Sequence, residues 1–297
     1  VFQAMLPSMS VNELREGQRS VGAKESHQIC IFDNLMDSKS LVLTGNTSTM
    51  YALGFLDLKK DGPTVIELPP GMLGVLNDMA FLFMENLGAA GPDRGQGGKY
   101  LVLPPGYTGD VPSGYYVVKS KTYGVWNFMR GYLDKGVKAA SDNIRNNLKV
   151  YPLSEKDNQP TMEFINVSGM EMNTIVPADY SFYTKLHKLV QEEPLDFMDM
   201  ENLGLMSSIG IEKGKPFNPD ARMKKILEDA VAIAEGIART VTYYPRQEGQ
   251  FAWNDPSSGW VVPFADHDAS WRTEEGVRKM GSTIMTHHGY TESRCEG

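Results

Sequence analysis

The triplet Asp266-His267-Asp268 brings together side-chain types that commonly bind a metal ion. Imidazole nitrogens and carboxylate oxygens are ligands for zinc and for iron. In an extended segment, residues two apart point to the same side, so Asp266 and Asp268 can share one cation while His267 faces away. The spacing matches no fixed metal motif. We therefore interpret the triplet as a solvated acidic loop, and the alternative is a metal site completed by His287 and His288.

A second set of polar residues lies within or beside apolar segments and forms the candidate pocket: Asn46, Tyr51, Asp57, Asp93 and Arg130. A buried polar group needs a partner, so the sequence favours a structural ion pair between Asp57 and Arg130 that closes a β-domain. The alternative is that these residues line a ligand pocket at the junction of the β-domain with the helices that follow.

Residues 91–98, Gly-Pro-Asp-Arg-Gly-Gln-Gly-Gly, form a glycine-rich segment, a type that can hold a phosphate. A phosphate-binding loop requires the order Gly-x-x-x-x-Gly-Lys-Ser/Thr, and a dinucleotide-binding loop requires a strand before it and a helix after it. Here Lys99 is followed by Tyr100 and a strand-like run, so we expect no nucleotide cofactor. We predict a tight loop in which Asp93 caps backbone N–H groups and glycines supply positive φ angles.

The composition excludes several classes of protein. The chain of 297 residues is 41% hydrophobic and 22% charged, which is typical of a globular protein rather than a disordered one. No run of about 18 apolar residues occurs, which argues against a transmembrane helix. The net charge of −8 argues against a nucleic-acid partner, because such proteins carry a basic surface.

The cysteines and the chain start bear on localisation. Cys30 and Cys295 lie near opposite ends of the chain, and we expect two free thiols rather than a disulfide. The chain begins at Val1 without a signal-like segment, which indicates either a removed leader or a trimmed start. A periplasmic or secreted location is favoured over a cytoplasmic one.

The sequence pattern predicts strands first and helices later. Short apolar runs separated by turn residues predict strands at residues 29–32, 41–43, 51–58, 64–68, 100–103 and 115–118. Helical periodicity predicts helices at residues 1–19, 132–149, 178–191 and 219–240. The pattern favours an α+β chain in which an antiparallel β-sandwich or barrel precedes a small helical domain. The expected domains are a helical segment at 1–30, the β-domain at 31–131, the helical domain at 132–245 and a loop-rich segment at 246–297.

Methionine is abundant in the predicted helical region. The chain has 17 methionines, and six of those in this region form a cluster in the sequence: Met170, Met172, Met198, Met200, Met206 and Met223. Because methionine adapts its shape to varied apolar neighbours, the cluster is consistent with an ordinary core or with a soft groove for an apolar ligand.

Several motifs resemble a known family. Residues 87–107 (LGAAGPDRGQGGKYLVLPPGY), 43–51 (LTGNTSTMY), 54–58 and 62–70 together resemble bacterial proteins built from two paired domains of unknown function, numbered 1254 and 1214. The resemblance to the first domain covers roughly residues 1–130, and with the helix near residues 218–239 it extends mainly over residues 1–240. It implies an N-terminal immunoglobulin-like sandwich, a small helical domain and a C-terminal jelly-roll-like domain. That third domain would begin near residue 280, so we expect it to be missing from this chain.

The resemblance supplies no catalytic residues, and two functions stay open. The first is a non-catalytic binding or assembly module for a small molecule, an envelope glycan or a protein partner. That partner is a second copy of the chain or a separate C-terminal β-domain. The second is a hydrolase of esters, amides or glycosides, with or without a metal, at the junction of the β-domain with the helices. Its candidate residues are Asp57, Asp93, Arg130, Asp266 and His267.

Overall fold

The computed structural model describes residues 1–42 and 45–243, with side chains as far as Thr240. The described chain is an α+β protein that divides into two compact units. Residues Val11–Thr174 form one unit, which we call the β-unit. Residues Val1–Ser10 and the described residues from Ile175 form the other, which we call the helical unit.

Strands dominate the β-unit. They are β1 (Gln28–Ile31), β2 (Ser40–Leu41), β3 (Thr49–Asp57), β4 (Thr64–Leu68), β5 (Met72–Asp78), β6 (Phe83–Gly88), β7 (Gly98–Leu103), β8 (Tyr116–Lys119), β9 (Gly124–Tyr132), β10 (Lys149–Pro152), β11 (Glu163–Asn166) and β12 (Met172–Asn173). The six helices of the described chain are α1 (Phe2–Ser20), α2 (Leu58–Asp61), α3 (Val137–Asn147), α4 (Ser181–Glu192), α5 (Met200–Ser207) and α6 (Ala221–Tyr243).

The strands form a six-stranded sheet in the order β11-β1-β3-β9-β5-β6, a four-stranded sheet in the order β10-β4-β7-β8, and the pair β12-β2. Most neighbouring strands are antiparallel, as predicted, but β1–β11, β7–β8 and β2–β12 are parallel. A parallel pair requires a long connection between its strands. The chain provides one here, since β11 follows β1 after more than a hundred residues.

The two larger sheets share one hydrophobic core. Met50 and Met129 of the six-stranded sheet belong to the same buried cluster as Ile66 and Tyr100 of the four-stranded sheet. Each such fully buried side chain contributes about 1.5–3 kcal/mol of hydrophobic stabilisation. The period of two along a strand then sends the intervening residues to the opposite side of the sheet. We call that side of the six-stranded sheet the outer face.

The helices follow one another in the chain order that the periodicity predicts. The helices expected at residues 1–19, 132–149, 178–191 and 219–240 correspond to α1, α3, α4 and α6. Among the described residues, no helix combines the length and apolar character needed to cross a membrane.

Candidate functional site: an arginine among aromatic rings

The outer face is organised by the pairing of β9 with its two neighbours. Arg130 on β9 lies directly opposite Tyr51 on β3, and Trp126 on β9 lies opposite Asn77 on β5. Phe128 lies between Trp126 and Arg130 in the same alternation, so all three side chains emerge on one side of the sheet. The strand register therefore places the guanidinium of Arg130, the indole of Trp126, the amide of Asn77 and the rings of Phe128 and Tyr51 on the same face.

Aromatic rings form a continuous row across this face. The ring centroids of Phe32 and Tyr51 are 6.2 Å apart, those of Tyr51 and Phe128 are 5.4 Å apart, and those of Phe128 and Trp126 are 4.9 Å apart. Phe81 extends the row, with its ring stacked 5.6 Å from that of Trp126. These separations are in the range of favourable aromatic pairs. We call these five residues the aromatic row.

Phe81 reaches the row from an unusual backbone position. Its φ angle is +63°, a value that is uncommon for a residue other than glycine. The turn is held by the carboxylate of Asp78, which accepts hydrogen bonds from the N–H groups of Ala80 and Leu82 at 2.9 and 2.8 Å. Such strained conformations are concentrated at functional sites.

Arg130 lies over the aromatic row. The guanidinium carbon is 4.8 Å from the ring centroid of Phe128 and 5.7 Å from that of Tyr51. Within the described part of the chain, the half-buried guanidinium has no carboxylate partner, and its Nε is buried without a hydrogen-bond acceptor. Cation–π contacts hold the planar group without using its N–H donors.

Two more polar atoms on the outer face lack partners. The indole Nε1 of Trp126 and the side-chain oxygen of Asn77 are buried and make no hydrogen bond to any described residue. Trp126 itself is only 9% exposed. An unsatisfied buried polar group lowers the stability of the fold by about 1–3 kcal/mol. With the Nε of Arg130, three such atoms lie on the outer face, and a ligand or ordered water would satisfy them. The amide of Asn127 is also unpartnered, but it points from β9 toward the shared core.

Asn46 fixes the hydroxyl end of Tyr51. Its side-chain amide donates a hydrogen bond to the Tyr51 oxygen at 2.6 Å. Its carbonyl oxygen accepts from the N–H of Ser48 at 3.0 Å, which closes a tight turn before β3. The structure therefore brings three of the predicted pocket residues together, namely Asn46, Tyr51 and Arg130.

The predicted ion pair between Asp57 and Arg130 is wrong. Asp57 lies at the far end of β3, opposite Gly124, whereas Arg130 lies opposite Tyr51. Six residues of strand separate these positions, a distance of about 20 Å. Asp57 instead caps α2, where its carboxylate accepts hydrogen bonds from the N–H groups of Lys59 and Lys60.

Asp93 also has a structural role. Its carboxylate accepts hydrogen bonds from the N–H of Gly97 at 2.9 Å and from the hydroxyl of Tyr100. Gly95 and Gly97 adopt φ angles of +77° and +78°. The predicted loop, capped by Asp93 and shaped by glycines, is confirmed. Burial and the Asp93 carboxylate raise the pKa of Tyr100 well above its usual range.

The predicted metal ligands Asp266, His267 and Asp268 lie outside the described residues. Within the part of the chain that the structure describes, no group of three or more His, Cys, Asp or Glu side chains is arranged to hold a metal ion.

Sequence reasoning did not find Trp126, Phe128, Phe81 or Asn77. The signal for the first two was present in β9, where the large residues Trp126, Phe128 and Arg130 alternate with Val125, Asn127 and Met129. A run this rich in aromatic residues is typical of a strand, although it lacks the usual apolar–polar alternation. Phe81 lies in a turn and Asn77 on a strand whose apolar pattern is broken by Gly74, so neither carried a local signal.

Comparisons with known proteins concern the fold and the family of the matched region. No curated protein matches the chain. A crystal structure, that of the VPA0106 protein from Vibrio parahaemolyticus, has a similar fold, with a TM-score of 0.58 and 15% sequence identity. The similarity covers 97% of this chain and 66% of that protein, so this chain spans a little under two thirds of its length. The family model described as "Protein of unknown function (DUF1254)" matches residues 27–152. The matched residues correspond to the first of the two domains that the sequence motifs resemble.

Proposed function

We propose that the β-unit is a non-catalytic binding module for a small organic anion with a flat apolar body. The anionic group pairs with Arg130, and the flat body lies along Phe128 and Phe81, the two members of the aromatic row that are partly exposed. The observation that carries the proposal is the guanidinium of Arg130, which is half-buried, lies over two rings and has no carboxylate partner among the described residues.

The chemistry of the guanidinium specifies the charge of the ligand. Arginine stays protonated in proteins and presents a planar set of N–H donors that fits a carboxylate or a phosphate. Arg145 is an arginine of the same unit with a structural role, and it differs from Arg130 in its partners. It also lies over a ring, that of Phe164 at 5.6 Å, but it donates hydrogen bonds to the carboxylate of Asp33.

The surroundings of Arg130 specify the rest of the ligand. Phe128 provides flat apolar surface beside the guanidinium, and the unpartnered indole N–H of Trp126 offers one further donor. Aromatic surfaces of this kind stack on planar rings. Of the ligands that the sequence leaves open, a planar small molecule therefore fits better than a glycan or a protein surface.

The same groups favour binding over hydrolysis. Asp57 and Asp93, two candidates for a hydrolytic site, serve a helix cap and a loop in different parts of the β-unit. Cys30 lies buried on β1, where burial raises the pKa of its thiol to about 12, so the nucleophilic thiolate does not form near neutral pH.

The proposal is tested by calorimetric titration with 2-naphthoate and with 2-naphthalenemethanol, which has the same ring system without the charge. We expect saturable 1:1 binding of the naphthoate and binding of the alcohol at least tenfold weaker. Arg130→Gln should remove this preference for the anion. Arg145→Gln is the matched control, because it removes a ring-stacked arginine of the same unit, and it should leave the preference unchanged.

Equal affinity for the two compounds, or an undiminished preference in the Arg130→Gln variant, would refute the assignment of Arg130 as the anion-binding group. Turnover of a naphthyl ester that depends on Arg130 would favour the hydrolase instead.

A further inference from the structure

The helical unit contains a cavity of about 540 Å³ that is separate from the outer face. It is enclosed by the end of α4, the segment that follows it, α5 and the turn around residues 211–213. Its apolar lining is provided chiefly by Leu195, Phe197, Met198, Met200, Leu203 and Met206. The soft-groove interpretation of the methionine cluster applies to this place, since three of the six predicted methionines line the cavity.

One wall of the cavity is held by a lysine. The ammonium of Lys213 donates hydrogen bonds to the main-chain oxygens of Val190, Gln191 and Glu193 at 3.2, 2.9 and 2.5 Å. The side-chain amide of Gln191 donates in return to the main-chain oxygen of Glu212 at 2.9 Å. These bonds tie the end of α4 to the turn that follows α5, so the cavity is formed before any ligand enters.

Apolar side chains of this lining are open to solvent. Met200 is 82% exposed and Leu195 is 62% exposed, although large apolar residues are normally buried. Methionine is flexible and polarisable and adapts to ligands of different shape. A volume of about 540 Å³ lies within the range of roughly 300–1,000 Å³ that is typical of small-molecule sites, so a small molecule is the occupant that fits.

The charges around the cavity specify the polar end of that molecule. Asp196, Asp199 and Glu212 contribute carboxylates to the lining, and Lys213 contributes one ammonium. Glu212 is paired with the ammonium of Lys215 at 2.6 Å, and Asp199 caps α5 by accepting from the N–H of Asn202 at 2.8 Å. The three main-chain oxygens already engage the ammonium of Lys213, which leaves it poorly placed to bind an anion. Asp196 is exposed, so its carboxylate is accessible from solvent.

We infer that this cavity binds an amphiphilic amine, whose apolar chain lies along the methionine and leucine side chains and whose cationic group pairs with the exposed carboxylate of Asp196. The inference is independent of the proposed function of the β-unit, because it rests on different residues and on a ligand of opposite charge.

The test uses two probes that share a chain and differ in charge: decyltrimethylammonium and decyl sulfate, each below its micellar concentration. The full chain carries ¹³C-labelled methionine methyl groups, and Met200→Leu and Met206→Leu assign the two signals that should respond. We expect decyltrimethylammonium to shift both signals saturably, and decyl sulfate to bind at least tenfold more weakly.

Substitution of the carboxylate then tests the charge directly. Asp196→Asn should weaken binding of decyltrimethylammonium by about threefold to tenfold, with the methionine signals still responding at saturation. Asp142→Asn, which changes an exposed carboxylate on α3, is the matched control and should have no effect. Equal binding of the two probes, unchanged affinity in Asp196→Asn, or shifts that miss Met200 and Met206 would each overturn the inference.

Discussion

Arg130 and Arg145 show how one residue type takes two roles in the same unit. Both guanidinium groups lie over a phenylalanine ring, at 4.8 Å for Arg130 and 5.6 Å for Arg145. Arg145 also forms an ion pair with Asp33, whereas Arg130 has no anionic partner within the described residues. A half-buried charge without an ionic partner reduces the stability of the fold unless a bound ligand or another group compensates the charge. The difference between these two arginines underlies our assignment of function.

A first prediction concerns the stability cost of the site. Arg130→Met removes a guanidinium with a buried, unpartnered Nε and keeps an apolar chain over the rings. We expect the free energy of unfolding of the ligand-free protein to stay within about 1 kcal/mol or to increase, because an unsatisfied buried donor is removed. Urea unfolding measures it. A loss of more than about 2 kcal/mol would identify Arg130 as a structural residue.

A second prediction concerns Asp33 and pH. Burial acts to raise the pKa of Asp33, but hydrogen bonds from Arg145 and Ser141 outweigh it, so the net pKa is lowered. The ion pair therefore stabilises the fold above the unfolded pKa of about 3.9, and this contribution is lost as the pH falls through the lower folded value.

Asp33→Asn should therefore lower the free energy of unfolding by about 1 kcal/mol at neutral pH, since the pair is partly open to solvent. The difference from the unsubstituted protein should shrink as the pH falls below the unfolded pKa of about 3.9, as measured by urea unfolding at neutral pH and at a series of acidic pH values. Asp142→Asn is the control, because its partner Lys138 is 87% exposed, and it should change little. A stability difference that persists undiminished at low pH would show that it does not arise from the charge of Asp33.

At the scale of elements, the strand that carries the site was the hardest to predict. The strand expected at residues 64–68 is confirmed as β4, because β-branched residues and flanking turns mark it. Six strands were not predicted: β5, β6, β9, β10, β11 and β12. Gly74 interrupts β5, Asn86 and Gly88 weaken β6, and β9 is apolar on both faces. A strand with one face in the core and the other in an aromatic row lacks the usual apolar–polar alternation.

The polar residues show a similar limit. The role of Asp93 followed from local sequence, because the glycines that it caps are its neighbours. The contact of Arg130 with Tyr51 depends on the register of β3 with β9, which joins residues almost eighty positions apart. Register is set by packing of the whole sheet, and a single sequence read locally does not specify it.

A third prediction concerns the loop before β7. Gly97→Ala should lower the free energy of unfolding by about 3 kcal/mol, because Gly97 has a φ angle of +78° and an added Cβ would lie 2.7 Å from the main-chain oxygen of Leu68. Gly106→Ala is the matched control. Its φ angle is +70° but its Cβ would meet nothing within 4 Å, so only about 1 kcal/mol should be lost. Equal losses in thermal or urea unfolding would exclude the steric contribution.

At the scale of the whole molecule, the β-unit extends beyond residues 27–152, which are the residues that the family model matches. The family match ends at residue 152, but β11 at Glu163–Asn166 completes the six-stranded sheet beside β1. The N–H of Val167 donates to the main-chain oxygen of Ile31 at 2.9 Å, and the N–H of Glu163 donates to that of His27 at 3.1 Å. The strand that covers β1 therefore comes from outside the matched region.

A fourth prediction follows from this pairing. A fragment of residues 11–174 should fold cooperatively, with amide protection along β1. A fragment of residues 11–152 should unfold at lower urea concentration and lose that protection, because β1 becomes an unpaired edge. Hydrogen exchange of both fragments tests it. Equal protection of Ile29 and Ile31 in the two fragments would show that β11 is dispensable.

The most direct test of the central claim is the indole N–H signal of Trp126 in a ¹⁵N spectrum, assigned by Trp126→Phe. We expect a free-protein shift typical of an indole without a protein acceptor, and a saturable change on addition of 2-naphthoate that is lost in Arg130→Gln. If the signal does not shift on addition of 2-naphthoate, or if it shifts equally in Arg130→Gln and in the unsubstituted protein, the assignment of the outer face as an anion-binding site is contradicted.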